Sequence, residues 1–328
     1  MLTLALDFGG TKLAAGLVDA KTGQVFAAEQ CPTPDDAASG YAAMLDMAET
    51  LVVRAAEQPH AAGVSFGGPV EADGRTVRYS MHIHGWENAA LATWIERDMV
   101  LPCAIANDAD AAALAEQRYG AGREVMHLLY LTVSTGIGGG IVIGGTIYRG
   151  ARAWAGEVGH QVLDPKGPPC ACGRNGCLES LASGRGVARA AKVALNELRS
   201  NLDLLQAEDM TPAQHNSSLL RLPIEQITAQ TVAEAVATGD VLASTVWERA
   251  MTWLGIGIAN AANVLNPALV VLGGGLTRAG ALLFEPVRQV VAQRVLDPGL
   301  KIVPAALGEH IGLLGGAAIA ADMLNMSE

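Results

Sequence analysis

The sequence predicts an α/β protein whose architecture is built twice, and three observations carry that reading. Short apolar runs alternate along the chain with segments whose apolar residues recur every three and four positions. A strand, a glycine turn and further strand occur near the start and return near residue 130, and two such units in separate halves suggest a duplicated plan with a cleft between them. Thirty-eight of 328 residues are glycine and only 4% are aromatic, which suits tight turns and close backbone contact with a ligand rather than a bulky aromatic core.

Taken in order, Thr3 to Asp7 reads as a short apolar strand, followed by the turn F-G-G-T-K and by L-A-A-G-L-V-D and Q-V-F-A-A-E as strands of a meander around Lys21-Thr22-Gly23. Leu128 to Val133 is the matching later strand, with S-T-G-I-G-G-G as its turn and I-V-I-G-G-T-I-Y as a hairpin around Gly144-Gly145. Helical spacing marks Tyr41 to Glu57, Leu91 to Asp98, Ala109 to Arg118, Gly184 to Leu205 and Val241 to Leu265. Gln206 to Leu222, polar and broken by Pro212, reads as a surface excursion, and Ala268 to Leu272 as a buried strand running straight into G-G-G-L. A last helix, Gly312 to Met326, is expected to pack back across the domain junction. The expected division is a small α/β domain over 1–120, rejoined by 312–328, and a larger one over 121–311.

Composition excludes several classes of partner. Half of the residues are apolar and the formal net charge is −11, with no stripe of Lys or Arg to neutralise a phosphate backbone, so nucleic acid is not expected. No stretch approaches a membrane span, and the first residues lack a basic n-region and reach Asp7 too soon for a signal peptide. The expectation is a cytoplasmic protein. Five cysteines, three of them clustered, leave Cys31 and Cys103 as packed thiols in keeping with a reducing compartment.

The densest chemistry lies between His160 and Glu179, where one imidazole and the thiols of Cys170, Cys172 and Cys177 fall close together. Zinc takes four such ligands in a tetrahedron, and Ala171, Gly173 and Gly176 let the backbone turn tightly enough to aim three sulfurs at one point. A redox or disulfide cluster is the alternative. Glu157 and Glu179 flank the loop, so a metal that fixes it also fixes two carboxylates.

D-F-G-G-T-K at Asp7 to Lys12 and S-T-G-I-G-G-G at Ser134 to Gly140 each offer consecutive N–H groups suited to phosphate oxygens, although glycine in an ordinary hairpin looks the same. Gly273-Gly274-Gly275, after a buried strand, adds a third such turn. Asp7, at a strand end, is placed either to hold hydrated Mg²⁺ beside phosphates or to cap the strand. An apolar strand also runs into the helix that follows Asn107 and Asp108, which puts both at a strand's carboxyl end, where α/β folds bind ligands. There Asp108 is either a helix N-cap or a general base.

With D-F-G-G-T-K, N-D-A-D, S-T-G-I-G-G-G, E-V-G-H and C-A-C-G-R-N-G-C-L-E in this order, nearly the whole chain resembles the ROK family of repressors, open reading frames and kinases. The resemblance implies an actin-like ATPase fold of two ribonuclease-H-like domains, with Mg-ATP and a sugar meeting in the cleft and a structural zinc ion. It implies that Asp108 takes the proton from the sugar hydroxyl and that Asn107 bonds neighbouring hydroxyls. Glu157, His160 and Glu179 match the sugar-gripping set, the histidine linking metal and sugar through its two ring nitrogens. Gly9, Gly10, Thr11, Lys12, Thr135 and Gly136 match the phosphate turns, Gly274 and Gly275 the turn near the nucleoside, and Gly68 a backbone approach to the sugar.

These correspondences point to a kinase for the 6-hydroxyl of an aldohexose, glucose first, with N-acetylmannosamine or N-acetylglucosamine as rivals and a homodimer or homotetramer as the assembly. A repressor would need a helix-turn-helix domain, for which a first strand at Thr3 leaves no room; a non-catalytic sugar sensor is the remaining class. One departure bears on the sugar. Where many relatives have an Asn in a Ser-Pro-Asn-Leu-Pro-Gly-Trp-like stretch, this chain has His82, within Ser80-Met81-His82-Ile83-His84-Gly85-Trp86. Its two histidines are either surface loop residues or a reshaped pocket edge.

Overall fold

The structure, a computed structural model, describes residues 1–80, 83–204 and 217–325. His82, Leu205 at the end of the expected helix and residues 206–216 of the expected surface excursion lie outside the described residues, as does Met326 at the end of the last helix. The chain divides into two compact units, one comprising 1–130, 139–156 and 305–328, the other 131–138 and 157–304.

The first unit is built on a five-stranded sheet of order β3-β2-β1-β4-β5, with β1 Leu2–Phe8, β2 Lys12–Asp19, β3 Gln24–Pro32, β4 Ala62–Phe66 and β5 Cys103–Asn107. The first three strands form the antiparallel meander, while β4 and β5 lie parallel to β1. Alternation along β1 sorts its side chains between two cores. Leu4, Leu6 and Phe8 join a large cluster with Met44 and Leu51 of α1 (Ala37–Arg54) and Leu91 and Ile95 of α2 (Leu91–Met99). Ala5 instead meets Ala115 of α3 (Asp108–Tyr119) and Leu313, Leu314 and Ala317 of the last helix, Ile311–Asn325. That side is lined by small residues because the last helix lies almost on the backbone: a Cβ at Gly63 of β4 would collide with the main chain of Gly316.

The apolar period placed the start of α1 at Tyr41, four residues late. Asp36 supplies the true start, its carboxylate accepting the Ser39 N–H at 2.9 Å, and the helix stops at Arg54, short of Glu57.

A second five-stranded sheet has the order β10-β9-β6-β7-β8, with β6 His127–Val133, β7 Ile137–Ile143, β8 Thr146–Ile147, β9 Leu269–Gly273 and β10 Lys301–Pro304. Read from its other edge, this repeats the strand order of the first sheet with five added to every number. The duplication expected from the sequence is therefore present in the topology. One expectation needs correction: S-T-G-I-G-G-G is not a single turn. Only Ser134 to Gly136 turns, and Gly138 to Gly140 belong to β7. Gly140 is bare because α3 packs on it, with the Ala113 methyl 2.7 Å from where a Cβ would stand.

In the second unit, α4 (Leu178–Ala182), α5 (Gly184–Leu204) and α6 (Ala229–Ala237) gather around the long α7 (Val241–Leu265), which packs also on α8 (Ala281–Ala292). Asp240 caps α7, accepting the Ala243 N–H at 3.0 Å. The last helix of the chain is α9, Ile311–Asn325. β4, α6, α8 and β10 are additional to the elements expected from the sequence.

Candidate active site

In the first unit, several of the candidate residues stand at or just beyond the carboxyl ends of three neighbouring parallel strands. Asp7 of β1 stands in register with Ser65 of β4, and Phe66 of β4 with Asn107 of β5. Beyond Asp7 the chain turns through Gly9, Gly10 and Thr11, closed by the Gly9 N–H on the Lys12 carbonyl at 3.1 Å and held by the Thr33 hydroxyl on the Gly9 carbonyl at 2.8 Å. Gly10 and Thr11 are exposed at its tip. Burial holds the Asp7 carboxyl above the usual carboxylate range, and the Lys12 ammonium, which reaches the Gln30 side chain at 3.4 Å, works against that rise.

Gly68, beyond β4, accepts from the Asn107 amide at 3.1 Å and leaves no room for a side chain, because the Tyr79 carbonyl would lie 2.6 Å from a Cβ. Asn107 also decides the role of its neighbour. Its Oδ1 accepts the Ala109 N–H at 2.9 Å and makes Asn107 the N-cap of α3. Asp108 is therefore the first residue of the helix, sharing the same N–H through Oδ1 at 2.8 Å. Desolvation first, and the negative charge of Asp7 second, push its carboxyl up to about 6. His84 is exposed, and its carbonyl accepts the Ala37 N–H at 2.9 Å, as a loop residue would.

In the second unit, the Ser134–Gly136 turn is closed by the Ser134 N–H on the Gly136 carbonyl at 2.9 Å, and the start of α5 seats on it through the Gly184 N–H on the Ser134 carbonyl at 2.7 Å. The Gly274–Gly275 turn lies alongside. Gly274 has φ +87°, and a Cβ there would strike the main chain of Val133 at 2.5 Å. Next to both turns opens a cavity of about 920 Å³, bordered by Thr135, Gly275, Arg185, Lys192, Trp247 and Leu276. That volume is in the range of small-molecule sites. Arg185 and Lys192 escaped the sequence reading because on a helix with many exposed polar positions nothing local distinguishes the one face that borders a cavity.

The loop from His160 to Cys177 brings its imidazole and three thiols together. The ligand atoms of His160, Cys170, Cys172 and Cys177 all lie within 4.8 Å of one another, and Gly173 and Gly176 take positive φ. Cys172 Sγ lies 3.5 Å from Cys177 Sγ, and Cys170 Sγ 3.6 Å from His160 Nδ1. Tetrahedral zinc with bonds of about 2.0–2.3 Å sets its donors roughly 3.5–3.8 Å apart; these two pairs have that spacing, and the chemistry of the donor set, one imidazole and three thiols within 4.8 Å of one another, suits the ion. His160 turns its other nitrogen outward, Nε2 lying 3.7 Å from Glu157 Oε2. Burial raises the Glu157 carboxyl, and His160 works against that rise. Glu179 spans two features: Oε2 accepts the Ile137 N–H at 3.0 Å, while Oε1 faces Cys170 Sγ at 3.9 Å.

The model of the ROK family matches residues 3–323. The chain belongs to the ROK family. Among ROK relatives, the glucokinase of Streptomyces coelicolor is 32% identical over 326 residues, 98% of either chain. The N-acetylmannosamine kinase of Shigella boydii is 34% identical over 322 residues, again 98% of either chain. The crystal structure of a ROK family glucokinase from Streptomyces griseus in complex with glucose and AMPPNP is similar with a TM-score of 0.77 and 31% identity, over 98% of this chain and 100% of that one. The fold is that of the ROK kinases, an actin-like ATPase fold. Among the described residues no helix is long and apolar enough to cross a membrane.

Proposed function

We propose that this ROK protein is an ATP-dependent sugar kinase that transfers the γ-phosphoryl of Mg-ATP to the 6-hydroxyl of an aldohexose, glucose first. The observation that carries the reading is the division of labour at the start of α3: Asn107 caps the helix, and Asp108 is left with a carboxyl near 6 at the end of a parallel strand. A sugar hydroxyl is a poor nucleophile, and a carboxylate that is ionised at neutral pH yet basic enough to accept its proton accelerates attack by roughly 10²- to 10⁴-fold. Asp7 and the Gly9–Lys12 turn would hold Mg²⁺ and phosphate oxygens, offsetting charge on the transferring group. Thr135, Gly136, Gly274 and Gly275 would hold the nucleotide, and the cavity that Thr135 and Gly275 border supports that assignment.

Gly68, Asn107, Glu157, His160 and Glu179 would bind sugar hydroxyls together with Asp108. Zinc on His160, Cys170, Cys172 and Cys177 would be structural, because protein fills all four positions and none is left for water. Its part is to hold the His160 ring so that Nε2 faces outward beside Glu157. A second reading is an amino-sugar kinase, for N-acetylmannosamine or N-acetylglucosamine; the similarity over 98% of the chain to an N-acetylmannosamine kinase supports the first of these.

ADP release from Mg·ATP by the zinc-loaded protein, measured with glucose, mannose, fructose, N-acetylglucosamine and N-acetylmannosamine, tests both. Turnover far higher with one sugar identifies the substrate. Sugar binding without turnover by any of them would replace the kinase with a sensor.

A further inference from the structure

Glu116 has no place in the reading above, yet it is a fully buried carboxylate, with 0% of its surface exposed. A buried charge without partners is strongly disfavoured, and here three main-chain N–H groups satisfy it. Oε2 accepts from Ala121 at 2.8 Å; Oε1 accepts from Ala306 at 2.9 Å and from Leu307 at 3.0 Å. These donors lie far apart in the sequence. Ala121 follows α3, whereas Ala306 and Leu307 stand just after the chain's last entry into the first unit at Ala305 and shortly before α9. Gly120 is bare for the same reason, since a Cβ there would overlap the Glu116 carboxylate.

The two elements joined by Glu116 each control one acid of the site. Helix α3 begins with Asp108. Helix α9 places Gly312, in its first turn, against Asp7, so closely that a Cβ would collide with both carboxylate oxygens. We propose that Glu116 is a positioning residue for phosphoryl transfer: by fastening residues 306 and 307 to the end of α3 it holds the start of α9, and hence Asp7, in fixed relation to Asp108. Its distance from the reacting groups is no objection, because displacement of a catalytic group by about 1 Å lowers a rate by on the order of 10²-fold. A purely structural Glu116 would affect the folded fraction and not the turnover of folded molecules.

The inference rests on the kinase reading, so its test includes a readout independent of turnover. Glu116→Ala, Glu116→Gln and Gly120→Ala are compared with the parent full-length, zinc-loaded protein. In Glu116→Ala, kcat per folded molecule should fall on the order of 10- to 100-fold with KM for sugar and ATP nearly unchanged. Glu116→Gln keeps an acceptor for one side of the clamp and should recover part of the loss. Gly120→Ala leaves the carboxylate present but displaced, and should lower kcat in the same sense.

Amide hydrogen exchange, followed by mass spectrometry, should quicken at residues 306–307 and also over 311–314 beside Asp7. Folded variants with parental kcat, or faster exchange confined to 306–307, would overturn the proposal. Absence of turnover in the parent would count against the kinase reading instead, and the exchange pattern would still decide whether Glu116 holds α9.

Discussion

The main-chain N–H of Ile137 donates to Glu179 Oε2 at 3.0 Å, and this one bond ties the cysteine loop to the Ser134–Gly136 turn. Gly136 permits it, since a Cβ at that position would run into the same carboxylate. Gly136→Ala is therefore expected to push Glu179 aside while zinc stays bound. The ATP KM should rise roughly tenfold, about the effect of one lost charge-assisted hydrogen bond. Steady-state kinetics together with zinc content checks it; an unchanged KM in a zinc-replete variant would break the connection.

Asp108→Asn should remove most turnover, by roughly 10²- to 10⁴-fold, and leave sugar binding largely intact. The same change should raise the thermal midpoint at pH 8, because it removes a desolvated charge facing that of Asp7. Kinetics, calorimetric sugar binding and a melting curve on one preparation decide it. Equal turnover in variant and parent would sink the base assignment.

The acid limb of kcat follows from the Asp108 carboxyl at about 6. Below that pH the base carries a proton and kcat should drop about tenfold per unit. Stability has the opposite sign. The folded state holds the Asp108 proton up to about 6 and the unfolded chain releases it near 3.8, so between these values the folded state binds more protons. Asp108 thus makes the protein less stable as pH rises through that window. A pH series of kcat and of melting in parent and Asp108→Asn tests both signs; an acid limb well below pH 5 would contradict the elevated carboxyl.

Cys172→Ser should lose zinc and sugar affinity together, because an ion held there would fix His160 and the cysteine loop that lies against Glu179. Metal analysis beside sugar titration is the check. A zinc-free variant with normal Michaelis constants would uncouple the two.

Gly312→Ala is informative because the usual expectation runs the other way. Alanine in a helix is normally more stable than glycine by about 1 kcal/mol. Here the methyl would meet the Asp7 carboxylate, so kcat should fall by on the order of 10²-fold and the concentration of Mg²⁺ for half-maximal rate should rise. An Mg²⁺ titration of both proteins decides it.

What the sequence determined by itself is the chemistry that depends on neighbours along the chain. His160 and the three cysteines converge because positive φ at Gly173 and Gly176 bends one short loop. The turn after Asp7 and the strand-to-helix step at Asn107–Asp108 are legible for the same reason, as are the alternating strands and the duplicated plan. Tertiary structure decided matters that depend on residues remote in sequence. Periodicity over S-T-G-I-G-G-G could not show that Gly140 is bare to admit α3, nor that Gly136 and Gly312 are bare to admit two different carboxylates. Either of two adjacent polar residues can cap a helix, and the choice of Asn107 was made when its amide found the Gly68 carbonyl. Arg185 and Lys192 border a cavity only because the fold sets α5 beside it. Glycine is permissive in any local context, and what it makes room for is fixed only when another part of the chain arrives.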